Sequence, residues 1–257
     1  MLVNVSRPDD GVALVELNNP PLNLVTLDLT RQLGETLDAL AADDAVRAVI
    51  VAGSGDRAFC AGSDIREFPQ VRDRVVDAKL RRENAVWTQL EDLPQPTIAA
   101  IEGSALGGGF ELALCCDLRI LSEHARVGLP EIHLAVIPGT GGPLRLSRLI
   151  GESRAKSWLY LGEACSAANA HALGIAHQVV PRGQARAAAL DLARRLAEAP
   201  AGALQGCKRA VRAADHLDRD AALEYALELS DRVFRSEDVL EGVAAFLEKR
   251  PARFRHR

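Results

Sequence analysis

Two glycine-bearing turns and two glutamates carry most of the chemistry that this sequence could perform. Gly107-Gly108-Gly109-Phe110-Glu111 reads as the end of a strand, a sharp turn and the start of an apolar helix. Glycine permits close backbone approach, and the first turn of a helix leaves amide N–H groups without intrahelical partners. Such a turn can aim a donor, backed by the helix dipole, at an oxygen that gains negative charge. A purely structural turn fits the same letters, and the G-x-G-x-x-G spacing of a dinucleotide site is missing. Cys60-Ala61-Gly62-Ser63-Asp64 forms a second turn behind an apolar run. Together the two turns could supply converging N–H donors, which an enolate or a tetrahedral thioester oxyanion requires.

Glu111 lies in the apolar stretch FELALCC and Glu131 in GLPEIHL. A carboxylate in such surroundings is either an exposed partner of a helix dipole or a buried group with a raised pKa. Two carboxylates in one site can divide general acid and base work, although spacing alone does not bring them together. Gly139-Thr140-Gly141-Gly142 suits either an anion-binding loop or a plain helix entry with Pro143 in the first turn. Cys60 has no histidine at a telling spacing and reads as a small core residue. Ser63 lacks the G-x-S-x-G elbow of a serine hydrolase.

The elements that must position these residues follow from periodicity. Residues 2–6 and 12–17 predict a hairpin, and Thr26 opens a helix whose Leu29, Leu33, Leu37 and Leu40 share one face. The continuous apolar run from Val46 to Val51, ending at Gly53, suits a strand covered on both faces, and Thr97 to Ile101 suits another. Between them, Val71 to Leu93 predicts one long helix with Val76, Leu80, Trp87 and Leu90 on its docked face and charges of both signs toward solvent. Phe110 to Cys116 predicts an apolar helix, Leu118 to Leu121 a strand, and Leu144 to Ile150 a helix. Further on, Ser166 caps a short helix ending at Gly174, and Val179-Val180 is a brief strand. Residues 184–198, 202–214, 219–230 and 236–249 predict helices, the last capped by Ser236. The fold class is therefore α/β over the first two thirds and helical beyond, with the division near residue 200.

With 257 residues, the chain is long enough for one large core with an appendage. Its net charge of -4 argues against broad nucleic-acid binding, and the basic tail Lys249, Arg250, Arg253, Arg255, Arg257 reads as well as a solvated end. Five cysteines without a CxxC spacing fit a reducing compartment better than a disulfide framework, and six scattered histidines give no support to a metal site. The opening MLVNVSRPDDGVALVEL has no secretory pattern, and no apolar run approaches a membrane span. These features predict a cytoplasmic protein that needs neither membrane nor nucleic acid.

Three ordered segments also resemble the crotonase, or enoyl-CoA hydratase/isomerase, family. AFCAGSDIREF resembles its signature of a phenylalanine and an alanine before AG-x-D and a basic residue; PTIAAIEGSALGGGFELALCCDLRI is similar to its long central motif, and ARVGLPEIHLAVIPGTGG to the segment that follows. The resemblance implies a spiral core of ββα units over residues 1–200 and a helical region over 201–257 that mediates trimerisation, with trimers often paired into hexamers. It implies that Ser63 and Gly108 give the two oxyanion-hole N–H groups, that Glu111 activates water, and that Glu131 exchanges the proton at the α-carbon. Gly139 would line the acyl site, and Leu22, Ser63, Asp64 and Ile65 would lie along the coenzyme A moiety. Arg66 takes the place of a usual lysine near its phosphates, and Phe254 and Arg255 would reach a neighbouring subunit's site.

The implied reaction is hydration of a trans-2-enoyl-CoA to the 3-hydroxyacyl-CoA, a lyase step of fatty acid metabolism. Coenzyme A enters as part of the substrate, and no separate cofactor or metal is implied. Sister reactions remain open: an isomerase, a dehydratase of a specialised acyl-CoA, a hydrolase, or a non-catalytic acyl-CoA- or RNA-binding member. Pro143-Leu144 stands where typical hydratases show a threonine–glutamine pair, and Asn19-Pro20-Pro21-Leu22 lacks a frequent basic residue. The first bears on the helix entry beside the acyl pocket and the second on one coenzyme A contact, which leaves acyl specificity open to a specialised group, such as an aromatic or branched one.

Overall fold

The structure is a computed structural model and describes residues 1–256. Strands β1 (Val3–Asp9) and β2 (Val12–Leu17) form the expected antiparallel hairpin. Helix α1 (Leu27–Ala41) starts where Thr26 accepts a hydrogen bond from the Leu29 amide at 3.1 Å. Its Leu29, Leu33, Leu37 and Leu40 are buried, as their spacing predicts. Each such leucine contributes about 1.5–3 kcal/mol by leaving water.

From strand β3 (Ala48–Gly53) onward the chain alternates between two sheets. Short β4 (Ala58–Cys60) lies in the second sheet, and helices α2 (Phe68–Val71) and α3 (Arg81–Asp92) lead back to β5 (Thr97–Ile101) in the first. The same step recurs with β6 (Ser104–Leu106), α4 (Gly108–Leu114) and β7 (Leu118–Ser122), then with β8 (Arg126–Gly128). This repetition of strand, strand and helix is the ββα spiral. The first sheet has the order β1-β2-β3-β5-β7 and ends on β10 (Gln178–Val180); the second is β4-β6-β8 with β9 (Cys165–Ser166) antiparallel at its edge. Every pairing among β2, β3, β5, β7 and β10 is parallel.

The main core lies between the two sheets and under α1, α3 and α4. A second apolar layer covers the other face of the first sheet. There α8 (Ala185–Ala197) lays Ala185, Ala189, Ala193 and Ala197 over Ala48, Ile50, Ala52, Ile98 and Ala100. Helices α5 (Gly142–Ile150), α6 (Glu152–Leu161) and α7 (Ala167–Ala172) precede that layer; α9 (Ala201–Ala213), α10 (Arg219–Phe234) and α11 (Glu237–Glu248) follow it. Val211, Leu227, Phe234, Leu240 and Phe246 stand exposed on these last three helices. No helix among the described residues is long and apolar enough to cross a membrane.

Two local expectations are corrected, and the basic tail is exposed as a solvated end would be. The predicted helix over 71–93 is broken into α2, a 3-10 turn at Arg72–Arg74, a π-helical turn at Val76–Leu80 and α3. The wide π turn shifts the helical phase, so Val76 is exposed while Lys79 and Glu83 are buried. Ser236 occupies the cap position of α11, but its hydroxyl donates to the Val233 carbonyl at 2.7 Å instead of accepting from the helix. Within the basic tail, Arg250 pairs with Glu241 and Glu248, both at 2.6 Å, whereas Arg257 lies outside the described residues.

Candidate active site

The turn into α4 is fixed by its glycines. Gly107 has φ +51°, a conformation that side chains rarely adopt, and its N–H donates to the Gly128 carbonyl at 2.9 Å. A Cβ on Gly109 would lie 2.2 Å from the Cys60 carbonyl oxygen, so only glycine lets α4 press against the end of β4. On the facing turn, Val25 donates to the Gly62 carbonyl and accepts from the Asp64 amide, both at 2.9 Å, which brackets Ser63. Neither the Ser63 nor the Gly108 N–H has a partner among the described residues. The two are neighbours: a Cβ built on Gly108 falls 3.8 Å from the Ser63 nitrogen. Two unpaired, adjacent amides on a cavity wall can receive an oxygen that gains charge.

The cavity holds about 710 Å³, within the usual range for small-molecule sites. Its wall is largely apolar, with Ile65, Phe68, Val71, Val75, Leu80, Leu134 and Ile137, and its polar groups are few: Lys79, Glu83, Glu111, Glu131 and Thr140 among them.

Glu111 projects from the first turns of α4 and is buried. Its Oε1 accepts from the Thr140 amide at 2.9 Å and the Gly142 amide at 2.8 Å, and its Oε2 from the Thr140 hydroxyl at 2.5 Å. The 139–142 loop is thus an anion loop whose anion is the chain's own carboxylate, at the N-terminus of α5. Burial still pushes the Glu111 carboxyl above the ordinary range, against those hydrogen bonds and the nearby Arg145. Arg145 supports the loop in turn, donating to the Thr140 carbonyl at 2.8 Å and pairing with Glu91 at 2.8 Å.

Glu131 begins a 3-10 turn after Pro130, and its Oε2 is buried without a partner. Burial, reinforced by the charge of Glu111, raises its carboxyl to about 7. Two carboxyls on one cavity therefore differ sharply, one held by three donors and the other unpaired.

Of the residues singled out in the sequence, Ser63, Ile65, Gly108, Glu111, Glu131 and Gly139 meet on the cavity wall. Leu22, Asp64 and Arg66 do not line it. Leu22 is tied to its rim through the Ala61 N–H, which donates to the Leu22 carbonyl at 2.9 Å. Asp64 caps the following 3-10 turn and holds the exposed Arg66 at 2.6 Å. Phe254 and Arg255 lie away from the cavity, against α11: the Phe254 ring is 3.6 Å from the Cβ position of Gly242, and the Arg255 amide donates to Asp238 at 2.6 Å. Cys60 is fully buried and its thiol is pushed up to about 12 by burial, in keeping with a core residue.

Sequence reasoning read Thr140 only as part of a possible anion loop and assigned no role to Arg145, and it placed Lys79 and Glu83 among solvated charges. The i, i+4 spacing of Lys79 and Glu83 was the one available signal, since an ion pair spanning a helix turn can be buried as a unit. Among the described residues, no group of three or more histidine, cysteine, aspartate or glutamate side chains is arranged to hold a metal.

Known proteins agree with this architecture. A sequence model of the enoyl-CoA hydratase/isomerase family matches residues 7–257. The chain is 35% identical to the short-chain-enoyl-CoA hydratase of Clostridium acetobutylicum, over 97% of its own length and 96% of that protein's. It is 36% identical to the mitochondrial methylglutaconyl-CoA hydratase of Mus musculus, over 98% and 82% of the two chains. A crystal structure of an enoyl-CoA hydratase from Bacillus anthracis superposes with a TM-score of 0.95 at 36% identity, covering all of both chains. With the ββα spiral, the paired turns and the two glutamates all in place, the chain belongs to the enoyl-CoA hydratase/isomerase, or crotonase, family.

Proposed function

We propose that this protein is an enoyl-CoA hydratase. The observation that carries the proposal is the pair of unlike carboxyls, Glu111 and Glu131, on the same cavity wall as the unpaired Ser63 and Gly108 amides. The thioester oxygen of a trans-2-enoyl-CoA accepts from both amides, which favours the enolate-like transition state. A water sits between the carboxyls and gives a proton to Glu111 as its oxygen bonds to the β-carbon. Glu131, protonated near neutral pH, gives its proton to the α-carbon, and the product is the 3-hydroxyacyl-CoA. Proton exchange with solvent returns both carboxyls to their starting states.

Along the coenzyme A moiety we place Leu22, Ser63, Asp64, Ile65 and Arg66, with Gly139 beside the acyl group. Arg66 is exposed next to the cavity rim, where a phosphate can compete for it with Asp64. The reading includes a homotrimer or homohexamer built through residues 201–257, in which Phe254 and Arg255 serve a neighbouring copy's site. The apolar side chains exposed on α9–α11 support it. The free thiols among the described residues suit a cytoplasmic setting.

The test is the loss of absorbance at the conjugated-thioester band on mixing with crotonyl-CoA. Hydration by the wild type, abolished in Glu111→Gln and in Glu131→Gln, is the expected result. Near-normal hydration by Glu111→Gln would instead remove Glu111 from the water-activating role given to it here.

A further inference from the structure

The cavity that holds Glu111 and Glu131 has a neighbour. An open groove of about 630 Å³ runs beside the π-helical turn and α3, along Val76, Arg81, Ala85 and Thr88. Among the described residues, only Leu80 and Gly139 line both spaces. One side chain and one bare α-carbon therefore stand between them. The two are in contact: a Cβ built on Gly139 would lie 2.9 Å from Leu80 Cδ2 and 3.0 Å from Cδ1, so the leucine methyls occupy the place of a side chain.

This divider is held from several sides. The Asn84 side chain donates to the Leu80 carbonyl at 3.0 Å and to the Gly139 carbonyl at 2.9 Å, which ties the π-helical turn to the 139–142 loop. The preceding residue, Lys79, is 2% exposed and paired with Glu83 at 2.9 Å and with Glu67 at 3.2 Å. Glu67 in turn accepts from the Leu27 amide at the start of α1, at 3.2 Å. A turn anchored to α1, α3 and the 139–142 loop does not shift aside cheaply, because each anchor is a buried or partly buried polar contact. On the hydratase reading Gly139 flanks the acyl group, so the leucine resting on it faces the acyl chain.

We propose that Leu80 sets the length of acyl chain that the cavity accepts, by closing it off from the groove along α3. The inference rests on the hydratase reading for the identity of the ligand and names a specificity-determining residue of that site. Each methylene that leaves water for an apolar wall gains about fourfold in affinity. A chain that has reached a packed side chain gains nothing further, since overpacking costs as much as burial returns.

The experiment measures Kd by titration calorimetry for saturated acyl-CoA thioesters with even chains of four to sixteen carbons, and kcat/KM for the matching trans-2-enoyl-CoA series. In the wild type, Kd should fall with length up to a turning point. Leu80→Ala should move that point about two carbons or more toward longer chains, and Leu80→Phe should move it toward shorter ones. General loss of structure cannot produce shifts of opposite sign. Thr88→Trp added to Leu80→Ala fills the groove and should restore the wild-type limit. A turning point common to the wild type and both Leu80 variants would overturn the proposal, as would lengthening that survives Thr88→Trp. An absence of turnover with every chain, accompanied by the expected shifts in Kd, would overturn the hydratase reading and uphold the role of Leu80.

Discussion

Thr140 donates twice to Glu111, from its N–H to Oε1 at 2.9 Å and from its hydroxyl to Oε2 at 2.5 Å, so both carboxyl oxygens answer to one residue. Glu131 has no such tether, and its Oε2 is buried without a partner. An enzyme that needs a fixed base and a proton-bearing acid in one cavity requires this contrast, because two carboxyls in equivalent surroundings would titrate together. The 139–142 loop creates the contrast by turning the N-terminus of α5 onto Glu111 alone.

The first consequence is a pH profile shared by the two directions of reaction. In the proposed mechanism hydration needs Glu131 protonated, and burial raises that carboxyl to about 7. The value of kcat/KM for hydration should therefore fall as pH rises through about 7. Dehydration of the 3-hydroxyacyl-CoA needs Glu131 ionised and Glu111 protonated, the same total of protons, so its kcat/KM should fall over the same range. Stopped assays in both directions from pH 5.5 to 8.5 decide it, and profiles that stay flat through 7 would remove Glu131 from the proton-transfer step.

Thr140→Val tests the tether. It removes the hydroxyl bond to Glu111 Oε2 while nearly preserving shape. A hydrogen bond to a charged group is worth about 1.5–3 kcal/mol, which corresponds to a fall in kcat of about ten- to a hundredfold with KM little changed. Thr140→Ser keeps the hydroxyl and should retain most of the activity. A positioning residue predicts this split. If the two variants instead lost equal activity, in proportion to their loss of thermal stability, Thr140 would be structural only.

Much of this architecture can be read from the letters, for identifiable reasons. Leu29, Leu33, Leu37 and Leu40 announce α1 because the helix repeat and the core face coincide, and β3 is legible because a strand covered on both faces must be continuously apolar. The second sheet was not legible: β4, β6 and β8 have three residues each, too few for alternation to register. Glu111 and Glu131 stand out by their apolar neighbours, but Thr140 is recognisable as a partner only once the chain brings residues 29 positions apart into contact. Lys79 and Glu83 mislead for a related reason. Charges in a helical segment normally face water, and only the π turn, which their composition does not encode, directs these two inward.

The C-terminal helices carry a prediction about assembly. Phe246 is 83% exposed on α11 and Val211 is 74% exposed on α9, more than a lone chain gains from leaving them in water. Phe246→Glu should weaken assembly without unfolding the ββα core. Sedimentation velocity is expected to show a trimer or hexamer for the wild type and smaller species for the variant. A wild type that sediments as a monomer at micromolar concentration would reject the assembly.

The raised carboxyl of Glu131 also makes a statement about stability. In the unfolded chain this group titrates near 4.5, and in the folded protein near 7. The folded state therefore binds the proton more tightly, and the stabilisation linked to it is complete below about 4.5 and is lost as pH rises through 7. The full shift would correspond to about 3 kcal/mol, and solvent at this half-buried side chain reduces the expected effect to about 1–2 kcal/mol. Glu131→Gln never ionises, so its stability relative to the wild type should improve by that amount between pH 5 and pH 8. Urea denaturation of both proteins at equal concentration measures the difference, because groups common to both cancel and assembly is held constant. A stability difference that does not change with pH would mean that Glu131 is ordinary, and the proton assigned to it in hydration would have to reside elsewhere.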